Sequence, residues 1–288
     1  MTDNQPSTAA SIPHVSDRVF HNYPGAAYIL PSDEQEAERL RLQHHVWKAA
    51  FEGKILLPPF RDQASYVVLD SGTGADIASQ LSPRAILHGI DIEKRLFPPS
   101  HPSNMSFSIT SITSLPDEWS NKFNFVHQRL LVLALKHKEW PLAVEQIFRV
   151  LSPGGWVQFG EFGDWRAGPI TEKHRRMHKA LLDSRDLNLD IHADLPELLR
   201  KASFTNITVE KRTIPLGSWA GKEGVDSRND IISVFRSLKA SVLRSGGLGF
   251  VETEEDFDQF IDAVEKEWDE TEGAEVNAFI IYAQRPTQ

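Results

Sequence analysis

Residues 66–91, YVVLDSGTGADIASQLSPRAILHGID, constrain the chain more than any other stretch. Tyr66, Val67, Val68 and Leu69 form an unbroken apolar and β-branched run of the kind that a parallel sheet buries on both faces. Asp70 ends that run. Gly72 and Gly74 follow, and without a Cβ they permit positive φ and close approach of a ligand to the backbone. A second run over 85–90 closes on Asp91. Strand, glycine turn, short helix and strand make a βαβ unit whose turn and terminal acid lie at the carboxyl ends of adjacent strands. In doubly wound folds an acid in the position of Asp91 accepts both hydroxyls of a bound ribose. Taken alone, these residues are equally well described as a tight turn and a solvated loop acid.

The order of the following segments favours the ligand reading. FNFVHQR over 123–129 is another buried strand, 139–150 is helical with Pro141 confined to the first turn, and LSPGGWVQFGEF places a Pro-Gly-Gly turn before a strand over 156–162. With DSGTG first, GID second and LSPGGWVQFGE last, the chain resembles the class I S-adenosylmethionine-dependent methyltransferases. Within them YILPSDEQEAERLRLQHHVWKAAFEGKI, HGIDIEKRLFP, VHQRLL and RVLSPGGWVQFGE are similar to the fungal LaeA-like and related secondary-metabolism methyltransferases. The likeness spans positions 20 to 215.

The resemblance implies an α/β fold: one seven-stranded, mostly parallel, doubly wound, Rossmann-like sheet with an antiparallel last strand and helical caps. It implies S-adenosyl-L-methionine as cofactor and a small-molecule acceptor methylated at O, N or S in secondary metabolism. The cofactor-binding candidates are Asp70, Gly72, Gly74 and Asp91, with Ser111 and Ile112 where the wider class carries an acid for the adenine, and Gln43 reaching in from an N-terminal cover helix. One departure stands out. GTGADIASQLSP leaves room only for a short helix over 75–81, which alters the end expected near the methionine carboxylate. That contraction keeps open a methyltransferase fold that catalyses a cyclisation or isomerisation; the LaeA-like resemblance also implies a non-enzymatic regulatory partner as a further reading, which the absence of a basic tract disfavours.

Candidates for a general base are His127, at the ligand-binding edge of the fourth strand, Glu161 on the fifth, and His44 on the cover helix. A histidine satisfied inside the core explains His127 and His44 as simply. The cover helix begins at a capping box of Ser32 and Gln35, runs to about residue 51 and ends at Gly53. Gln43 and His44 fall in its apolar stripe with Leu40, Trp47 and Phe51.

The formal charge of −9 and the lack of any basic cluster argue against a nucleic-acid partner. The absence of cysteine removes thiolate chemistry, and no metal site is expected. With no membrane-length apolar run, a cytoplasmic protein with no membrane association is expected; the oligomeric state is not specified. Residues 1–21 read as a disordered arm and 22–288 as one domain: cover helix within 22–60, cofactor-binding core 61–215, helical lid insertion 226–272 and last strand 274–285. The expected helices are 172–186, 195–201, 228–244 and 254–269, and the sixth strand is 206–214. Phe235, Leu238, Phe257 and Phe260 of the insertion either line an acceptor pocket or pack the insertion on the sheet.

Overall fold

Short apolar strands joined by helices assemble in the computed structural model into a single seven-stranded sheet of order β3-β2-β1-β4-β5-β7-β6. The structure describes residues 30, 34–59, 66–72, 76–94 and 97–288. The arm over 1–21, Ser32 of the capping box and Gly74 lie outside the described residues. The strands are β1 (Val67–Ser71), β2 (Ile86–Asp91), β3 (Met105–Ile109), β4 (Phe123–Arg129), β5 (Leu151–Arg166), β6 (Thr205–Pro215) and β7 (Glu275–Gln284). All pair in parallel from β3 to β5, and β7 enters antiparallel between β5 and β6. The order reverses between β1 and β4, and open α/β sheets bind ligands outside the carboxyl ends of the strands at such a reversal.

Each face is covered by helices. One core gathers Trp47 of α1 (Glu34–Ala50), Leu181 of α3 (Pro169–Asp183), Phe235 of α5 (Gly221–Ser237), Val242 of α6 (Lys239–Arg244) and Phe257 and Trp268 of α7 (Glu254–Glu270). The opposite core takes Trp140 and Ile147 of α2 (Glu139–Val150) and Leu195 of α4 (Ile191–Lys201). Helix α2 shows why: Trp140, Ala143, Val144, Ile147 and Val150 recur at helical spacing and are buried together. Complete burial of each large side chain is worth about 1.5–3 kcal/mol, so this stripe is what holds the helix. Helix α7 adds a capping box, Thr253 Oγ1 accepting the Asp256 amide at 3.0 Å while Asp256 accepts the Thr253 amide at 2.9 Å.

Several boundaries differ from expectation. Strand β5 extends over sixteen residues because β7 pairs with it as far as Arg166 opposite Glu275. The helix expected over 228–244 starts at Gly221 and divides at Leu238 into α5 and α6. Gly221 and Gly224 argue against helix in isolation, but a Cβ on Gly224 would lie 2.1 Å from the Gly217 carbonyl oxygen, so packing requires a glycine there. Helix α3 starts earlier, with Pro169 in its first turn.

Helix α1 is fastened over the sheet. Trp47 is buried against Phe51 and Phe162, and its ring occupies the place of a side chain at Gly160 of β5, where a Cβ would come within 2.8 Å. The segment after α1 is tied to β5 by the Gln158 side chain, which accepts the Leu57 amide at 3.0 Å and donates to the Ile55 carbonyl at 2.6 Å. Among the described residues no helix is long and apolar enough to cross a membrane.

Candidate active site

A cavity of about 810 Å³ runs along the carboxyl edge of the sheet from β2 to β7, toward the upper end of the ~300–1,000 Å³ range of small-molecule sites. Its first half is polar. Gly72 leaves β1 at φ 71° and donates its amide to the Ile90 carbonyl at 2.9 Å, so the turn lies against β2. A Cβ on Gly72 would approach only the Leu131 side-chain terminus, at 2.9 Å, so the need for glycine here is the positive φ. The expected short helix is a five-residue 3-10 helix, Asp76–Gln80, with Ile77 buried and facing the cavity.

Asp91 ends β2 at the cavity wall, and one of its oxygens accepts the Glu93 amide at 3.0 Å. Desolvation raises its pKa to about 6, with the Glu93 and Ile92 amides opposing that rise. Ser111 is turned into a local hydroxyl pair with Thr113 at 2.8 Å, and Ile112 is buried beside it; both line the cavity. Gln43 enters from α1 and is buried at the same wall.

In the middle, β1 and β4 place Asp70 and His127 in register. Asp70 Oδ1 and His127 Nδ1 are 2.8 Å apart and both residues are buried at the cavity wall. That contact orients the ring and makes Nε2 the nitrogen available to a ligand. Thus Asp70, Gly72, Asp91, Ser111, Ile112, Gln43 and His127, separate in the sequence, share one wall.

Two of the proposed bases are placed elsewhere. His44 is half-buried on α1, where its Nδ1 accepts from the Arg129 guanidinium at 3.5 Å, and it does not line the cavity. Glu161 is fully buried and also stands off the cavity; its Oε1 accepts the Leu131 amide at 2.9 Å. Desolvation pushes its pKa up to about 8, so at neutral pH it is a neutral acid that anchors the loop following β4. Being on a strand at the correct edge was not enough, because the side chain faces the α2 side of the sheet.

Residues not chosen from the sequence complete the wall. Arg39 lies one turn before Gln43, bonds Glu36 at 2.6 Å and approaches Asp230 of α5 at 3.5 Å. Desolvation raises Asp230 to about 7, while the Arg39 and Arg129 charges draw it down. Arg39 and Arg129 both reach the cavity. The second half of the cavity is apolar, bounded by Phe162, Trp165, Ile231, Val234, Phe235 and Val276, with His178 of α3 among them. Of the four insertion aromatics and aliphatics considered from the sequence, Phe235 lines the cavity; Leu238 and Phe257 are buried in the core and Phe260 packs against it. The sequence places His178 with Thr171, His174, Met177 and Leu181 on one buried stripe of α3, a pattern that marks core rather than a ligand contact.

No protein-family model matches the chain. It is 27% identical over 276 residues to the N-methyltransferase verN of Clonostachys rogersoniana, covering 90% of this chain and 93% of that protein. It is 26% identical over 217 residues to the secondary metabolism regulator laeA of Aspergillus niger, covering 70% of this chain and 56% of laeA. A chain in the complex between the Haloferax volcanii Trm112 methyltransferase activator and a methyltransferase matches the fold at TM-score 0.50 and 14% identity, over 88% of this chain and 96% of that one. By fold and by sequence, the chain is similar to the class I S-adenosylmethionine-dependent methyltransferases. Its residues fit the cofactor on their own chemistry. Asp91 keeps an oxygen free of the Glu93 amide, Ile112 offers an apolar surface for a base, and the Gly72 turn exposes backbone at the wall.

Proposed function

We propose that the protein transfers a methyl group to a nitrogen of a small molecule of fungal secondary metabolism, with Asp91 holding the cofactor ribose and His127 facing the reacting atoms. The observation that carries this is the continuity of the cavity: a polar nucleoside end at β2 and β1 opens directly into an apolar end beneath β5 and α5, with the Asp70–His127 pair at the junction. The verN relative, an N-methyltransferase that matches nearly end to end, supports nitrogen as the acceptor atom.

When bound, S-adenosylmethionine supplies its sulfonium methyl to the acceptor and departs as S-adenosylhomocysteine. The protein's part is to position the nitrogen in line and to exclude water. Asp91 and Ile112 fix the nucleoside, and Gln43 on the cover helix, with Arg39 beside it, meets the methionine end where the 3-10 helix is short. Asp70 holds the His127 ring so that Nε2 can accept the proton that an N–H acceptor loses. Helix α5, which overlaps the expected 226–272 insertion, selects the acceptor through Ile231, Val234 and Phe235.

Incubation with methyl-labelled S-adenosylmethionine and metabolites of the producing organism tests the reading. Label in a nitrogen-bound methyl group, with one S-adenosylhomocysteine released per transfer, is expected. Conversion of an acceptor at unchanged mass, without label, would favour a cyclase or isomerase instead.

A further inference from the structure

The apolar half of the cavity contains two side chains with polar atoms that the proposed chemistry does not use, Trp165, whose Nε1 is buried without a partner, and His178. His178 is 5% exposed, lies at the cavity wall, and makes no hydrogen bond to any described residue. Its ring is packed among aromatic rings: edge-on to Trp165 at 5.2 Å between centroids, 5.6 Å from Phe235 and 5.9 Å from His174. A polar ring in an apolar wall is more simply replaced by phenylalanine unless a ligand or solvent in the cavity completes its hydrogen bond.

We propose that His178 recognises the methyl acceptor, its imidazole nitrogen accepting a hydrogen bond from an N–H or O–H of a flat, uncharged compound seated against the wall that Trp165 and Phe235 form together. Three observations define that class. Burial holds the ring neutral, lowering its pKa to about 4, so a nitrogen lone pair is available at physiological pH. Ile231, Val234 and Val276 close the space around it, and aromatic walls favour a planar partner. No carboxylate or cation of the described residues lines this half; the cavity's Asp70, Asp91, Glu93, Arg39, Arg41 and Arg129 belong to β1, β2, β4, α1 or the turn after β2, and Glu139 opens α2. An ammonium or carboxylate acceptor would be desolvated there with no counter-charge at the wall, whereas a neutral N–H compound completes the hydrogen bond open at His178.

The proposal rests on the methyltransferase reading, and the experiment separates the two. Calorimetric titration of the wild-type protein with S-adenosylhomocysteine comes first; failure to bind would count against the methyltransferase reading itself. The saturated protein is then titrated with indole, 1-methylindole, protonated tryptamine and indole-3-carboxylate. Indole is expected to bind at least about tenfold more tightly than either charged probe. The ratio of the 1-methylindole to the indole dissociation constant should fall about 3- to 10-fold in His178→Phe, because only indole offers the donor that His178 accepts. His178→Gln, which keeps an acceptor atom, should restore part of that ratio. The affinity for S-adenosylhomocysteine should stay within twofold in both variants, and His178→Phe should melt no lower than wild type, since the ring has no internal bond to lose. Equal or tighter binding of a charged probe, an unchanged ratio in a folded His178→Phe protein, or no binding of any probe to the saturated wild type would overturn it.

Discussion

The two halves of the cavity are built by different means. The nucleoside half is assembled from strand ends and turns close in sequence, with Asp70, Gly72 and Asp91 all inside one βαβ unit and fixed by backbone hydrogen bonds. The acceptor half draws on β5, α3, α5 and β7, so Trp165, His178, Phe235 and Val276 meet only when the whole sheet has formed. One half is specified by local chemistry and changes little without loss of the cofactor. The other is specified by packing, which tolerates exchange of side chains of similar volume and so allows one fold to serve many acceptors.

That contrast can be broken at several points, beginning where the effect is largest. Glu161 anchors the loop that forms the wall between the halves, through the Leu131 amide. Its pKa is raised from 4.5 to about 8, so the folded state binds more protons than the unfolded state between those values and stability falls as pH rises through them. Glu161→Gln keeps the acceptor oxygen and removes the ionisation. Urea unfolding should show wild type and variant alike near pH 4.5, and the variant more stable by on the order of 1–4 kcal/mol at pH 8. A parallel pH dependence in both would mean that Glu161 is already ionised in the fold.

Next comes the polar half. Asp91→Ala should weaken S-adenosylhomocysteine binding about 10- to 100-fold, the loss of hydrogen bonds to an ionised acceptor. Unchanged affinity in the folded variant would move the ribose to Glu93. In the apolar half, Val234→Trp should raise the acceptor KM on the order of tenfold while cofactor affinity stays within twofold; equal loss of both would show that the halves are one structural unit. The smallest effect is on pH. Asp91 is raised to about 6, and the proposed ribose contact needs the ionised carboxylate, so cofactor affinity should fall about three- to fourfold between pH 7.5 and 5.5, and Asp91→Asn should flatten that profile.

What was legible in the sequence follows the same division. The β3, β4 and α2 boundaries match, because apolar runs and turn residues mark them locally. The extent of β5 was not legible, since residues 163–166 become strand only by pairing with β7. Asp70, Gly72, Asp91 and His127 could be chosen because strand ends at a sheet edge are predictable positions. The direction of a side chain across the sheet is harder: a two-residue period sends His127 to the cavity and Glu161 to the opposite core side, and periodicity names the two faces without saying which one carries the ligand. His178 was hidden for a different reason. A histidine in a buried helical stripe reads as core until the partner it lacks becomes visible, and that requires the positions of Trp165 and Phe235 from other elements.

The central claim is that a single cavity joins a nucleoside site at Asp91 to an acceptor site at Trp165 and His178. A crystal structure of the protein with S-adenosylhomocysteine tests it most directly. The account predicts ribose hydroxyls within hydrogen-bond distance of the Asp91 carboxylate, the base against Ile112, and the sulfur facing His127 with the apolar half still open beyond it. A ribose bound away from Asp91, or a cofactor lying against Trp165 and Phe235, would contradict it.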